Sequence, residues 1–337
     1  MNIFVWVSTF SSDPLLLPAH STITVSSFVC RRRQVRRVST GVAKEGWQFL
    51  FLKDKGAPQT QIVQNSTSEK DIIKLFKLNK YHTIIHLAAR VGGVHHNIEE
   101  PVKYFEENIL MNTLLIKHAY KNNVKRFLGI LSSCIYPDKI KKYPIKENLL
   151  FSGEPHESLF PYSYAKRSMA LQIDTYNQKF KTKYNYIIPC NLYGEFDKFH
   201  EIQGHFVGAL INKIIKAKKN KKKSIKLFGD GSPMRQFMHA RDLAKIINII
   251  IKENITESFN VATAENYSVK KIANIAMKAC EFKNTKLIFD KSMPNGQIRK
   301  DIDIEKFKRL IPKFKPILLK DGIKEIYLKK KKGIIFA

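Results

Sequence analysis

The stretch Phe127-Leu128-Gly129-Ile130-Leu131-Ser132-Ser133-Cys134-Ile135-Tyr136-Pro137 decides the fold. It opens as a short apolar run, Phe127 to Leu131, of the kind that forms a buried strand. The run ends in hydroxyl and thiol side chains, so polar groups follow the carboxyl end of that strand. In open parallel sheets, ligands bind at that edge. The stretch therefore predicts a parallel sheet with a ligand site beside Ser132 and Cys134.

A second segment, Pro161-Tyr162-Ser163-Tyr164-Ala165-Lys166, opens a helical pattern. Tyr162 and Lys166 are four residues apart, which is about one helical turn, so both face the same way. A free tyrosine has a pKa of about 10. A lysine ammonium nearby favours the phenolate and lowers that pKa, so the phenol releases its proton more easily. The pair is typical of a phenol that donates a proton at neutral pH.

Strand-like and helix-like segments alternate from residue 47 onward. The strand-like segments are 47–52, 82–87, 127–131 and 186–189, and the helix-like segments are 69–78, 101–122 and 162–180. This alternation predicts an α/β fold with a doubly wound (Rossmann-like) parallel sheet and crossover helices. The small pair Ala88-Ala89 follows a strand in the same way as Ser132-Ser133-Cys134 does. Both segments are therefore expected at the ligand-binding edge.

After Asn191 the alternation loosens into shorter elements, which predicts a smaller C-terminal α/β lobe. Helices are expected at 203–219, 241–251 and 268–280, and strands at 225–228, 259–262 and 287–289. We expect residues 41–195 to form the Rossmann domain, with returns near 229–262. Residues 196–228 and 263–337 are expected to form the substrate-binding lobe.

The formal net charge of +30 has two interpretations. One is a nucleic-acid or membrane partner. The other is a surface of solvated lysines, which concentrate in segments such as 218–223 and 329–332. Because the chain has no RNA-recognition, zinc-finger or helix-turn-helix signature, we favour solvated lysines and expect no nucleic-acid partner. Part of the charge would still help to bind a nucleotide diphosphate.

The remaining composition bounds the class of protein. No apolar run reaches the length of a membrane span, so no membrane association is expected. The four cysteines, Cys30, Cys134, Cys190 and Cys280, are scattered and lack metal-ligand spacing. This usage predicts a reduced compartment, no disulfide framework and no metal. We expect a cytoplasmic protein.

The first 40 residues depart from the pattern. A nucleotide-binding sheet should open with a strand and a glycine-rich turn that lets backbone approach a pyrophosphate. No glycine lies between Met1 and Thr40, and Arg31–Arg37 occupies the corresponding place. Three interpretations are open: a targeting segment, since the stretch is rich in Ser and Arg; a real departure with weakened cofactor binding; or an incorrectly deduced sequence.

Between about residues 81 and 300 the chain resembles the GDP-L-fucose synthase family, within the extended short-chain dehydrogenase/reductases. The motifs that carry the resemblance are His86-Leu87-Ala88-Ala89-Arg90-Val91-Gly92-Gly93, Ser132–Pro137, Asn191-Leu192-Tyr193-Gly194 and Gly231-Ser232-Pro233-Met234-Arg235-Gln236-Phe237. The resemblance implies an enzyme that epimerises and then reduces GDP-4-keto-6-deoxy-mannose with NADPH to give GDP-L-fucose. It also implies a homodimer in which helices 101–122 and 162–180 pair across a two-fold axis.

The resemblance also implies roles for five catalytic residues. Tyr162 would donate a proton to the 4-keto oxygen, Lys166 would lower its pKa and bind the cofactor ribose, and Ser132 would orient the keto oxygen. Cys134 and His205 would exchange protons at the two carbons that flank the ketone. Cysteine and histidine suit this because their reference pKa values, about 8.5 and 6.5, lie near neutrality.

For ligand binding, the resemblance implies two sets of residues. NADP(H) would contact Ala88, Ala89, Arg90, Lys166, Asn191 and Leu192. The GDP-sugar would contact Asn191, Lys213, Phe228, Arg235 and Asn295. At position 295 relatives tend to have an acidic residue, so Asn295 departs from the family pattern, as does the missing glycine turn.

Two other functions stay open on the sequence. One is another nucleotide-sugar epimerase or dehydratase of the same superfamily, against which the presence of both Cys134 and His205 argues. The other is a non-catalytic relic that binds a nucleotide-sugar or RNA and has lost the cofactor-phosphate turn. The Arg31–Arg37 run supports this second alternative.

Overall fold

The computed structural model describes residues 3–8, 47–52 and 66–334, except positions 79, 93, 198, 202–203, 283–284 and 294. The predicted glycine-turn position and the Arg31–Arg37 run lie outside the described residues. Of the strands at 3–8 and 47–52, only the backbone course and pairing are described.

Six strands form the main sheet within the described residues, in the order β2-β1-β3-β4-β5-β9. They are β1 (Ile3–Ser8), β2 (Trp47–Leu52), β3 (Thr83–His86), β4 (Arg126–Ile130), β5 (Asn185–Pro189) and β9 (Phe259–Val261). All neighbours run parallel except β2, an edge strand that pairs antiparallel with β1. The prediction of a parallel α/β sheet is confirmed, and β1 adds a strand that was not predicted.

The strands of this sheet are connected or flanked by α1 (Glu69–Leu78), α2 (Val94–Glu99), α3 (Pro101–Lys121), α4 (Phe160–Phe180) and α6 (Ala240–Lys252). The predicted cap of α1 is present, because the Ser68 hydroxyl accepts from the Asp71 amide at 3.3 Å. Both α3 and α4 begin with a proline in the first turn, where a missing amide hydrogen costs nothing. Short 3-10 helices lie at Ser133–Ile135, Glu147–Leu149 and Glu157–Leu159.

The later part of the chain adds two small sheets, β10-β8-β6 and β11-β7. Their strands are β6 (Asn191–Tyr193), β7 (Ser224–Phe228), β8 (Met234–His239), β10 (Asn266–Ser268) and β11 (Lys286–Asp290). The accompanying helices are α5 (Phe206–Lys219), α7 (Val269–Ala279), α8 (Glu305–Leu310) and α9 (Leu319–Lys331). The Ser268 hydroxyl accepts from the Lys271 amide at 3.1 Å, so the predicted cap of α7 is present as well.

Two hydrophobic clusters lie inside the described residues. The first fills the space between the main sheet and its helices, with Phe127, Ile187 and Phe259 fully buried. The second packs α5, α7 and α9 against β7 and β8, around Ile211, Ile272 and Ile323. No helix in the described part of the chain is long and apolar enough to cross a membrane.

Candidate active site

Helix α4 is held against the end of β4 and the segment that follows it by three of its side chains. Ser163 lies three residues before Lys166 and four before Arg167, so it shares a face of the helix with each of them. The bonds run from Ser163 Oγ to the Cys134 carbonyl (3.1 Å), from Lys166 Nζ to the Ile130 carbonyl (2.9 Å) and from Arg167 Nε to the Ile135 carbonyl (2.6 Å). These contacts set the position of Tyr162 relative to Ser132 and Cys134. The two motifs therefore lie together in the fold.

Ser132 and Cys134 form a hydrogen-bonded pair at the end of β4. The Cys134 thiol donates to Ser132 Oγ at 3.3 Å. The thiol lies in the short 3-10 helix and is buried, whereas Ser132 is half-buried. One loop therefore presents a hydroxyl and a thiol side by side.

Tyr162 is half-buried in the first turn of α4. Its pKa is raised well above the ordinary value, first by burial and then by the neighbouring Cys134 and Tyr104. The sequence predicted that Lys166 lowers the pKa of Tyr162, but Lys166 is not among the groups that shift this pKa. A phenol with a raised pKa keeps its proton at neutral pH, which is the form that a proton donor needs.

Lys166 is almost fully buried, and burial lowers the pKa of its ammonium to about 8, with Cys134 opposing the shift. Beneath it lies the buried His86, whose pKa is lowered to about 3 by burial and by the Lys166 charge. His86 Nε2 hydrogen-bonds Asn112 Oδ1 at 2.7 Å, and the Asn112 amide donates to the Ala165 carbonyl at 3.2 Å. This network joins the last residue of β3 to the middle of α3 and to the first part of α4.

His205 is the N-cap residue of α5. Its Nδ1 atom hydrogen-bonds Asp197 Oδ1 at 3.0 Å, and this bond is the largest cause of a raised His205 pKa. The charge of Lys300 acts in the opposite direction. Sequence reasoning had not identified Asp197, because nothing in the spacing of eight residues indicates that the two side chains meet.

Lys300 is a further residue that sequence reasoning missed. Burial lowers its pKa to about 8; the Arg235 charge acts in the same direction, while Cys134 and Cys190 oppose the shift. Lys300 also lowers the pKa of His205, so its charge interacts with both members of the predicted acid/base pair. The sequence contains only a weak sign that Lys300 is buried. In an extended segment, residues two apart share a face, and Ile302, two residues away, is buried.

The segment that carries Lys300 is held by Gln236. Gln236 Nε2 donates to the backbone carbonyls of Thr263 and Ile302 at 3.0 and 3.3 Å. Gln236 Oε1 accepts from the backbone amide of Ile302 at 2.9 Å. The Met234 amide donates to the Ile298 carbonyl at 2.8 Å. Residues 298–302 therefore run beside β8, which brings Lys300 next to Arg235.

The residues predicted to bind the cofactor lie at two strand ends. Ala88 and Ala89 follow β3 and are buried, so only their backbone and methyl groups face neighbours. Asn191 begins β6, and its side-chain Nδ2 donates to the backbone carbonyl of Gln236 at 2.8 Å. The next residue, Leu192, is half-buried. That Ala88 and Ala89 pass the adenine side of NAD(P), and that Asn191, Leu192 and the buried Lys166 lie at its nicotinamide side, stays a prediction.

Arg90 is engaged elsewhere. Its guanidinium forms ion pairs with Glu100 at 2.6 Å and Glu107 at 3.1 Å and lies over the Tyr104 ring. Its amide donates to Asn108 Oδ1 at 2.9 Å. The side chain thus fastens the turn after β3 to α3, and a role in cofactor binding stays a prediction.

The residues predicted to bind the substrate gather in the later part of the chain. Lys213 Nζ lies 5.1 Å from the centre of the half-exposed Phe228 ring and donates to the Lys226 carbonyl at 3.0 Å. Arg235 is half-buried, and burial lowers its pKa to about 10. Asn295 Oδ1 accepts from the Asp230 amide at 2.9 Å. A side chain at Gly229, whose φ is +75°, would collide with Asn295. This part of the chain therefore offers one cation over an exposed aromatic ring and a second, half-buried cation at Arg235.

Comparisons with known proteins agree with this arrangement. Residues 32–262 match the NAD dependent epimerase/dehydratase family. GDP-L-fucose synthase of Dictyostelium discoideum is 37% identical over 246 residues, which are 72% of this chain and 76% of that protein. GDP-L-colitose synthase of Yersinia pseudotuberculosis is 35% identical over 70% of this chain and 77% of its own length.

A solved structure is similar over most of its length. The crystal structure of a GDP-L-fucose synthetase from Naegleria fowleri bound to NADP superposes with a TM-score of 0.73 at 30% identity, covering 81% of this chain and 83% of that one. The Rossmann-like fold predicted from the sequence is therefore confirmed. Because the family match spans more than half of the 337 residues, the chain belongs to the NAD dependent epimerase/dehydratase family.

Proposed function

We propose that this protein converts GDP-4-keto-6-deoxy-mannose to GDP-L-fucose, by epimerising the two carbons beside the ketone and then reducing the ketone with NADPH. The observation that carries the proposal is that the Ser132–Cys134 pair lies in the segment to which α4, with Tyr162 and Lys166, is hydrogen-bonded. Tyr162 and Lys166 serve a ketone reduction, while Cys134, 3.3 Å from Ser132, and His205 serve proton exchange at carbon. A 4-epimerase that only cycles a hydride needs the first pair alone.

The epimerisation follows from the acidity of protons beside a carbonyl. When such a proton leaves, the electron pair of the C–H bond moves onto the ketone oxygen and forms an enolate. Ser132 and Tyr162 would donate hydrogen bonds to that oxygen where its charge develops. Return of a proton to the opposite face restores the ketone with inverted carbon, and Cys134 and His205 would remove and supply these protons.

The reduction needs a proton donor at the same oxygen. Tyr162 keeps its proton at neutral pH because burial raises its pKa. Lys166 Nζ, held by the Ile130 carbonyl at 2.9 Å, would stabilise the phenolate left after the proton transfer. NADPH, when bound, supplies the hydride to the carbonyl carbon. Lys166, Asn191 and Leu192 would hold its nicotinamide and the adjoining ribose, and Ala88 and Ala89 would line the adenine-side ribose and pyrophosphate.

The nucleotide end of the substrate would extend from His205 along α5. Lys213 is eight residues further along that helix, about 12 Å at 1.5 Å per residue. Lys213 and Arg235 would contact the phosphates or ribose, and Phe228 would stack on the guanine, with Asn295 nearby. A cationic pair suits a diphosphate because charge-assisted hydrogen bonds to phosphate are strong.

We also propose a homodimer. Helices α3 and α4 lie side by side, since Asn112 and Gln172 each bond the backbone of the other helix at 3.2 and 3.3 Å. Their outer faces expose large apolar side chains, among them Val102 at 62%, Leu110 at 47% and Leu171 at 58%. A second copy packed on this face would remove these side chains from water.

The proposal is tested by incubating the protein with GDP-4-keto-6-deoxy-mannose and NADPH. We expect oxidation of NADPH at 340 nm and a product identified as GDP-L-fucose by NMR. Turnover of a UDP-sugar with none of the GDP-sugar would favour another epimerase or dehydratase. Absence of saturable NADPH binding by fluorescence would support the non-catalytic relic.

A second candidate is a GDP-sugar epimerase/reductase with a different sugar, such as one that makes GDP-L-colitose. The 35% identity to GDP-L-colitose synthase favours keeping it. Supplying the 3-deoxy analogue of the keto-sugar in parallel separates the two, because the better substrate will show the higher kcat/KM.

A further inference from the structure

Asp197 and His205 form a carboxylate–imidazole pair with unequal exposure. The hydrogen bond between Asp197 Oδ1 and His205 Nδ1 is 3.0 Å long. The Asp197 side chain is 8% exposed, whereas that of His205 is 53% exposed. A buried carboxylate has few alternative positions, so it can hold the ring of an accessible histidine in one orientation.

The backbone fixes both partners. The Asp197 amide donates to the Gly194 carbonyl at 3.3 Å, in the turn that follows β6. The His205 carbonyl accepts from the Ala209 amide at 2.9 Å, in the first turn of α5. The pair therefore joins the end of β6, which carries Asn191, to the start of the helix that carries Lys213.

The side-chain bond also decides which ring nitrogen is available. When the carboxylate accepts from Nδ1–H, the neutral imidazole has its lone pair on Nε2. Nε2 is then the atom that can take a proton from a ligand or return one. Within the described residues, two charged groups shift the pKa of His205. They are Asp197, in the segment between β6 and α5, and Lys300, in segment 298–302.

We propose that Asp197 is a positioning residue for epimerisation, which fixes the ring and tautomer of His205 so that Nε2 exchanges the proton at a carbon beside the ketone. The proposal rests on the proposed function. The carboxylate stabilises the imidazolium whenever His205 carries the proton. In each inversion one C–H bond breaks, its electron pair resides on the ketone oxygen, and a new C–H bond forms on the other face. The proton states of His205 and its partner are restored by solvent, so no oxidant or reductant is needed.

The first test is the titration of His205 itself. NMR of protein labelled with ¹⁵N in histidine reports both the midpoint and the tautomer. We expect the neutral ring of the wild type to carry its proton on Nδ1. In Asp197→Asn the midpoint should move to lower pH, because the hydrogen bond to a carboxylate is the largest cause of the raised pKa. An unchanged midpoint and tautomer would overturn the proposal.

The second test is exchange at carbon, followed as deuterium incorporation from D₂O into GDP-4-keto-6-deoxy-mannose without NADPH. Asp197→Asn should lose about 10- to 100-fold of the exchange rate, and the pH limb due to His205 should move to lower pH. Asp197→Glu should restore part of the rate. Asp197→Asn preserves side-chain shape, so it stays informative if Asp197→Ala fails to fold.

The matched control is a second carboxylate–imidazole pair, Glu69 with His118 at 2.9 Å, which joins α1 to α3 away from the site. Glu69→Gln should leave the exchange rate and the His205 titration unchanged. Wild-type exchange with an equal rate and pH profile in Asp197→Asn would refute the role of Asp197. No exchange by the wild type would refute the proposed function instead, while the His205 titration would still show whether Asp197 holds the ring.

Discussion

The thiol of Cys134 donates a hydrogen bond to the hydroxyl oxygen of Ser132 across 3.3 Å. The bond places a group able to exchange a proton with carbon beside a group able to hold a ketone oxygen. Both lie in the loop that α4 holds through Ser163 and Arg167. In the proposed reaction, the geometry of this one loop would link proton exchange to the oxygen that the reduction uses.

Replacement of this thiol should separate the two half-reactions. In Cys134→Ser we expect deuterium incorporation beside the ketone to fall at least about 100-fold, because a hydroxyl is a much weaker acid/base group near neutral pH. Reduction of a ketone intermediate should remain detectable as NADPH oxidation. The control is Cys280→Ser, a buried thiol in the second cluster. Full exchange activity in Cys134→Ser would exclude its acid/base role.

Removal of the Tyr162 hydroxyl should affect the reduction most. In Tyr162→Phe we expect the single-turnover rate of NADPH oxidation to fall about 10²- to 10⁴-fold. Deuterium exchange should fall less, since Ser132 can still hydrogen-bond the enolate. The neighbouring Tyr164, whose ring packs on Phe160, provides the control variant Tyr164→Phe. A normal reduction rate in Tyr162→Phe would show that another group supplies the proton.

Gln236 provides a stability prediction. Its buried amide makes three hydrogen bonds, to the Thr263 carbonyl and to both backbone groups of Ile302. Gln236→Leu would leave buried backbone groups unpaired, which should lower the free energy of unfolding by about 2–3 kcal/mol. Urea denaturation measures the change. Gln172→Leu, which loses an exposed bond of 3.3 Å, should stay within about 0.5 kcal/mol of the wild type.

The elements predicted from sequence were those with local signals. Helix α1 has the predicted bounds, Glu69–Leu78, because the Ser68 cap and the apolar periodicity are both local. Strand β6 has only three residues, and its pairing with β8 joins positions more than forty residues apart, so no local pattern reveals it. Strand β1 was missed because no glycine turn follows Ile3–Ser8.

The residues of the candidate site divide in the same way, into those with a local sequence signal and those without one. Ser132, Cys134, Tyr162 and Lys166 were identified because each lies in a short motif. Asp197 and Lys300 were missed because their importance comes from His205, Arg235 and other groups that only the folded chain brings near. Arg90 lies in a motif, yet its ion pairs with Glu100 and Glu107 depend on the position of α3 and could not be read from that motif.

The proposed dimer face can be tested by placing charge on it. In Leu171→Glu and Val102→Glu, a carboxylate on an exposed apolar position would have to be desolvated between two copies. We expect sedimentation velocity to show a shift from dimer to monomer at micromolar concentration. Leu328→Glu on α9, 42% exposed in the native chain, should leave the association state unchanged. A wild-type monomer would refute the dimer directly.

The last prediction concerns Lys300, whose charge depends on pH because its pKa is lowered to about 8. Lys300→Met keeps most of the side-chain volume and removes the cation beside Arg235, Cys134 and His205. Since the Lys300 charge lowers the pKa of His205, the NMR midpoint of His205 should move to higher pH, opposite to the effect of Asp197→Asn. Because segment 298–302 runs beside β8 and brings Lys300 next to Arg235, we also expect the Lys300 ammonium to contact the phosphates of GDP, and its loss should weaken binding of GDP about tenfold at pH 7.

The pH dependence separates a direct contact from a structural effect. The pKa of Lys300 is lowered to about 8, so the wild-type ammonium is charged below that pH and loses its proton above it. Wild-type affinity for GDP, measured by calorimetry, should therefore fall as pH rises through about 8, whereas Lys300→Met should lack this step. Lys146→Met, which removes an exposed ion pair with Glu305, is the control and should follow the wild type. A step of equal size in Lys300→Met would assign the pH dependence to another group and remove Lys300 from the binding site.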